Sequence, residues 1–124
     1  MSTLKVDTIQ DQTSSNSSTP AEIYSGRAKA WVNFDGTGTV AIRADFNVSS
    51  ITDNGTGIYT VNFSSSLGNT NYAVAGASGE DQDNGGNRMF GIRLVAATSC
   101  GVLGFSYSGS AEDLARMCAA FFSS

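Results

Sequence analysis

The chain has no histidine, a single proline, two cysteines and only seven basic residues among its 124. Each shortage excludes something. Without histidine, the commonest general base and the commonest imidazole metal ligand are missing, and no imidazole can activate a serine or cysteine. With one proline, at position 20, strands are seldom interrupted. Seven Lys and Arg against eleven Asp and Glu leave a net charge of -4. The basic residues are scattered, which argues against binding along a nucleic-acid backbone. No apolar run is long enough to span a bilayer, so no membrane insertion is expected. The first residues are polar and lack the apolar core of a secretory signal. In a reducing cytoplasm Cys100 and Cys118 are then expected to stay reduced as small buried hydrophobes, with one disulfide as the alternative. No G-x-G-x-x-G or Walker pattern occurs, and the carboxylates fall mainly in turns and linkers. No enzyme and no cofactor are expected on this census.

What is present favours strands. Residues 26–63, GRAKAWVNFDGTGTVAIRADFNVSSITDNGTGIYTVNF, read as strand, turn, strand, strand, turn, strand. Successive side chains of a strand point to opposite faces. Ala28, Ala30, Val32 and Phe34 share one face, and Arg27, Lys29, Trp31 and Asn33 the other. Tyr59, Val61 and Phe63 alternate with Ile58, Thr60 and Asn62 in the same way. Neither run has helical spacing. Asn54-Gly55 is a strong turn signal, since both residues tolerate positive φ. The expected fold is all-β: an antiparallel β-sandwich over residues 21–124, preceded by an extended arm and polar linker over 1–20.

Along the rest of the chain, Leu4, Val6 and Ile9 punctuate the arm, either as a docking element or as a frayed terminus. Residues 11–20, DQTSSNSSTP, read as a flexible linker, and residues 21–25 lead into the first strand. Trp31 lies between Lys29 and Asn33 on the polar side of its strand, which suits subunit or inter-sheet packing, with ligand contact as the alternative. Residues 72–77 form a strand whose small side suggests close approach of another layer. Residues 79–87, GEDQDNGGN, form an acidic loop. An EF-hand starting at Asp81 would put Gly85 at a ligand position and Ile92 where a bidentate Glu belongs, so a solvated hairpin tip is expected instead. Residues 89–97 are apolar on both faces, which suits a sandwich or an oligomer interface, and residues 101–107 pair with them. Leu114, Met117, Cys118, Phe121 and Phe122 have helical spacing, yet a strand from about Arg116 fits as well and is favoured.

The strings STLKVDTIQ, AKAWVNFDGTGTVAIR, FNVSSITDNGTGIYTVNF and NYAVAGAS cover roughly half of the chain. They resemble a domain of tailed-bacteriophage structural proteins, notably tail fibres. The resemblance implies a virion protein assembled in the host cytoplasm, a homotrimer, attached to other virion proteins through Leu4, Val6 and Ile9. In that reading Trp31, Asp53, Asn54, Asp81, Asp83, Asn84 and Asn87 are candidate contacts for a partner or a host surface glycan. The alternative is a capsid decoration protein that clasps the shell with the same arm. The family's pattern consists of strand and turn residues, so it carries no catalytic set. The AEDLARMCAAFF segment departs from the closing strand usual in that family.

Overall fold

The computed structural model describes residues 1–81 and 87–124. Two four-stranded antiparallel sheets pack face to face. The strands are β3 (Ala30–Asp35), β4 (Ala41–Phe46), β5 (Val48–Gly55), β6 (Ile58–Phe63), β7 (Ala73–Gly79), β8 (Arg88–Ala96), β9 (Ser99–Ser106) and β10 (Arg116–Phe122). The first sheet has the order β4-β3-β10-β7 and the second β5-β6-β9-β8. A small hairpin, β1 (Ile9–Gln10) with β2 (Ser17–Ser18), and one helix, α1 (Pro20–Gly26), precede them.

The alternation read from the sequence is what builds the core. Ala30, Val32 and Phe34 point inward from β3, and Tyr59, Val61 and Phe63 from β6. Cys100 and Val102 of β9 and Met117, Ala119 and Phe121 of β10 complete it. Phe34 meets Tyr59 edge to face with centroids 5.2 Å apart, and Phe63 meets Phe121 at 5.0 Å. Each such buried aromatic or aliphatic side chain contributes roughly 1.5–3 kcal/mol. The C-terminal segment resolves as a strand, with Leu114 buried just ahead of it. Helical spacing there reflects two separate inward sets, Leu114 in a loop and Met117–Phe121 in a strand. Cys100 and Cys118 are both free. Cys100 faces the core from the second sheet, whereas Cys118 alternates with inward Met117 and Ala119 and so faces outward from the first. The disulfide alternative is therefore geometrically closed.

Several connections differ from expectation. Residues 11–20 are a built segment rather than a featureless linker. Asp11 Oδ1 accepts from Thr13 N (3.1 Å) and Ser15 N (3.0 Å), closing the β1–β2 turn. Hydrogen bonds from the Asn16 carboxamide (2.8 Å), then the Thr13 hydroxyl (2.9 Å), hold the Asp11 carboxyl below its ordinary pKa. Thr19 then caps α1 in a reciprocal box with Glu22, where Glu22 N donates to Thr19 Oγ1 (3.2 Å) and Thr19 N to Glu22 Oε2 (2.7 Å). Residues 21–25 are thus helix, not a lead into a strand. The β5–β6 hairpin turns at Thr56-Gly57, because a bulge carries Asn54-Gly55 into β5. Gly57 has φ +67.

β8 is an edge strand, and Met89, Ile92, Leu94 and Val95 are exposed in the single chain, so the sandwich alone does not cover both faces. A bulge between Arg93 and Ala96, with Leu94 at φ +46, breaks that edge. Bulges of this kind hinder edge-to-edge pairing. Close approach of the layers does occur at β7, but on its Tyr72/Val74 side: the Phe90 ring lies 2.2 Å from where a Cβ on Gly76 would be. The other side of β7, with Ala73, Ala75 and Ala77, is exposed. Between the sheets, the single residue Asn47 (φ +55) carries the chain from β4 to β5. Its Nδ2 donates to Lys29 O and Ser65 O, both at 3.1 Å, and its Oδ1 accepts from Ser65 N at 2.8 Å.

Candidate functional site

Strict up-and-down alternation from β3 to β10 gives the sandwich two poles. The β3–β4, β5–β6, β7–β8 and β9–β10 connections all fall at one pole. The N-terminal segment, the β4–β5 junction, the β6–β7 and β8–β9 connections and the C-terminus fall at the other.

The loop pole is tied together by one buried phenol. Tyr59 OH lies 2.7 Å from Asp113 Oδ1 and 2.9 Å from Gly36 O. The same Asp113 oxygen accepts from Gly57 N at 2.7 Å. Gly36 N donates to Leu114 O at 2.9 Å, and Gly104 N to Gly57 O at 2.9 Å. Three connections therefore meet at Tyr59. Burial, reinforced by the Asp113 carboxylate, pushes the Tyr59 phenol well above its usual pKa. Glycine is required at both turns. A Cβ at Gly36 would lie 2.4 Å from Tyr59 OH, and one at Gly57 would lie 2.5 Å from Gly104 O.

Around this anchor sits a polar cleft lined by Asp35, Thr37, Glu80, Asp81, Arg88, Glu112 and Ala115. Arg43 reaches Asp35 (3.3 Å) and Asp81 (2.9 Å), and also donates to Ala115 O. Arg116 grips Asp81 through Nε (2.9 Å) and Nη2 (2.6 Å). Arg88 Nε stands 3.1 Å from Glu112 Oε2 and 4.0 Å from Glu80 Oε1. The Arg88–Glu112 pair is an ion pair by distance whose alignment falls short of a hydrogen bond, so both atoms lack a hydrogen-bond partner among the described residues. Asp35 is held below its ordinary carboxyl pKa chiefly by the Thr37 hydroxyl and amide (2.6 and 2.8 Å) and secondarily by Arg43. These carboxylates are engaged by arginines and turn donors. Among the described residues no group of three His, Cys, Asp or Glu side chains is disposed to hold a metal ion. The cleft is suited to hydrogen-bonding a polar ligand, and it contains no histidine for proton transfer.

The sequence-predicted contacts are partly brought together. Asp53 and Asn54 sit at the loop pole, but their side chains serve local structure: Asp53 Oδ1 accepts from Gly55 N (3.0 Å) and Asn54 Oδ1 from Thr60 Oγ1 (2.7 Å). Asp81 is at the same pole and committed to Arg43 and Arg116. Asn87 is exposed just before β8. Asp83 and Asn84 lie outside the described residues. Trp31 is elsewhere: it points outward from the first sheet, 41% exposed, and does not pack between the sheets. At the opposite pole Leu4, Val6 and Ile9 are exposed and line a groove with Ile23 and Tyr24 of α1. Lys29 Nζ lies 4.0 Å from the Tyr24 ring centroid and donates to the Tyr24 and Arg27 carbonyls, fastening α1 to the start of β3.

Sequence reasoning missed Ile23 and Tyr24, although the Thr19-Pro20-Ala21-Glu22 capping signature could have revealed α1. It also missed the Tyr59–Asp113 anchor, for which one sequence offers no local signal. Among the described residues no helix is long and apolar enough to cross a membrane. No family model, curated protein or solved structure matches this chain.

Proposed function

We propose that this chain is a non-enzymatic structural protein of a tailed-phage virion, a tail-fibre component that takes part in host attachment. The observation that carries the reading is the polarity of the molecule. An apolar arm and helix lie at one pole and four loops at the other. The strands between them are six to nine residues long, about 20–30 Å at a strand's rise per residue. Such a module anchors by the arm and offers the loops outward. The resemblance of the arm and strand strings to tail-fibre domains points the same way.

Attachment in this reading is multivalent. A polar loop surface binds a cell-surface glycan weakly, and homotrimerisation together with several fibres per particle multiplies the avidity. Leu4, Val6 and Ile9, exposed beside Ile23 and Tyr24, contact the neighbouring virion protein. The same exposed arm is what a capsid decoration protein would use as a clasp, and this is the second reading.

The test is competition. Purified chain is added to host cells before phage challenge, beside a form lacking residues 1–20. Attachment predicts that both forms reduce adsorption, while only the full chain binds fibre-less particles. A decoration protein predicts no effect on adsorption and arm-dependent binding to emptied capsids.

A further inference from the structure

The outward face of the first sheet has the composition of an interior. The strand register lays two rows across it, Phe46–Trp31–Ala120–Ala75 and Ala44–Asn33–Cys118–Ala77. Neither row carries a charge. On the second sheet's outer face the β5–β6 half is polar, with Ser50, Thr52, Thr60 and Asn62 linked by hydrogen bonds such as Asn62 Nδ2 to Thr52 Oγ1 (2.9 Å), whereas Leu103, Phe105 and Met89 stand on its β9–β8 half. That polar half is what a solvated antiparallel sheet presents, and the first sheet's two rows have no counterpart to it. Alanine is a poor strand former, so an uncovered row of alanines on β7 brings no local advantage.

The face also has relief. Trp31 and Phe46 stand along its β3–β4 half, 41% and 52% exposed. Ala75, Ala77, Ala120 and Cys118 floor a trough along the β10–β7 half, with Trp31 as one wall. We propose that a second copy of this chain covers this face, seating its Trp31–Phe46 ridge in the alanine trough.

Three observations favour the chain's own copy. Ridge and trough lie side by side, so rotation about an axis parallel to the strands, between β3 and β10, sets ridge over trough. The charges at the loop-pole rim of the face, Asp35, Asp81, Arg43 and Arg116, balance among themselves, and Lys29 at the arm-pole rim is turned onto the Tyr24 ring and two carbonyls. Copies of a chain with net charge -4 can therefore meet there without like-charge repulsion.

The third observation is area. Four strands of about seven residues cover roughly 440 Å², about half of a standard partner footprint. An axis parallel to the strands brings the arm poles of the copies together, where Ile23 and Tyr24 of α1 supply further apolar surface and Leu4, Val6 and Ile9 stay available to the neighbouring virion protein. The same rotation keeps every loop pole on one side, as a receptor-facing assembly needs. The inference rests on the self-assembling reading above and adds to it the surface and the direction.

Two native probes lie on the face: the chain's single tryptophan, Trp31, and Cys118, the less buried of its two thiols. The full chain is studied at about 50 µM and upward, because an interface at the low end of the size range binds weakly. Sedimentation should give a multiple of the monomer mass. Trp31 emission should be blue-shifted and move red on dilution. Cys118 should react with maleimide about tenfold slower than in Ala75→Arg, since thiol reactivity follows access. Trp31→Glu and Ala75→Arg should each be monomeric, and mixing them should restore association, because position 31 of one copy faces position 75 of the other.

A monomeric wild type with reactive Cys118 would overturn both this inference and the self-assembling reading. An oligomer whose Cys118 reacts freely would overturn this surface alone, as would two monomeric variants that stay apart on mixing. If either variant loses its strand signal in circular dichroism, Cys118 protection in the wild type decides.

Discussion

Replacing Asp113 by alanine should loosen the loop pole by a calculable amount. One oxygen of Asp113 takes both the Gly57 N–H and the Tyr59 O–H, each at 2.7 Å. Without it, the Tyr59 hydroxyl turns to Gly36 O, already 2.9 Å away, and exchanges a charge-assisted bond for a neutral one. The Gly57 N–H makes no second hydrogen bond among the described residues. A hydrogen bond to a charged group is worth about 1.5–3 kcal/mol, and the exchange at Tyr59 costs about 0.5–1 more, giving roughly 2–4 kcal/mol in all. In a urea titration this lowers the midpoint by about 1.5 M at the slope typical of a small domain. Tyr59→Phe removes one of the two donors and should cost less, about 1–1.5 kcal/mol. The double variant should fall short of the sum by about 1 kcal/mol, because the two residues share a bond. An Asp113→Ala midpoint within experimental error of wild type, or strictly additive variants, would refute the anchoring role assigned to Tyr59.

Other positions offer independent checks. Asn47→Ala loses three side-chain hydrogen bonds and places alanine at φ +55. It should cost about 3–4 kcal/mol, with Asn47→Gly about 1 kcal/mol milder, by chemical denaturation. Leu94→Gly should leave stability unchanged or raise it by up to about 1 kcal/mol. Leu94 is 71% exposed at φ +46, so equal or higher thermal midpoints are expected despite the lost side chain. On the alkaline side, burial raises the phenols of Tyr59 and Tyr72 above their ordinary value. The fold therefore holds their protons more tightly than the unfolded chain. That contribution is complete below about pH 10 and is lost as pH rises beyond it. A delayed tyrosinate absorbance coinciding with loss of strand signal is the expected result, and early ionisation of both phenols without unfolding would contradict it.

Period-two patterning was legible because it reports burial directly. Ala30, Val32 and Phe34, like Tyr59, Val61 and Phe63, face the core as the alternation predicts. The strand from Arg116 was legible for the same reason, although Leu114 blurred it by being buried from a loop. The edge position of β8 was not legible, because apolar residues on both faces do not reveal whether a strand is central or at an edge. The Asn54-Gly55 signal failed where the adjacent Thr56-Gly57 supplied the actual turn, the bulge absorbing the extra residues. The loop-pole anchor was invisible because Tyr59, Gly36, Gly57 and Asp113 are far apart in sequence, and only the closed sandwich brings them into contact. Trp31 was noted for its position on the polar side of its strand. Its significance came only when the register placed Ala120 and Ala75 beside it.

The central claim is that the arm pole anchors to the virion while the loop pole faces outward. The most direct measurement is a cryo-EM map of purified particles, with the eight-strand sandwich located in the density. The account predicts tail density in which residues 1–9 meet a neighbouring virion protein and the β7–β8 and β9–β10 connections point away from the particle axis. Sandwich density on the capsid shell, or at the tail with the loop pole turned inward against other virion proteins, would contradict it.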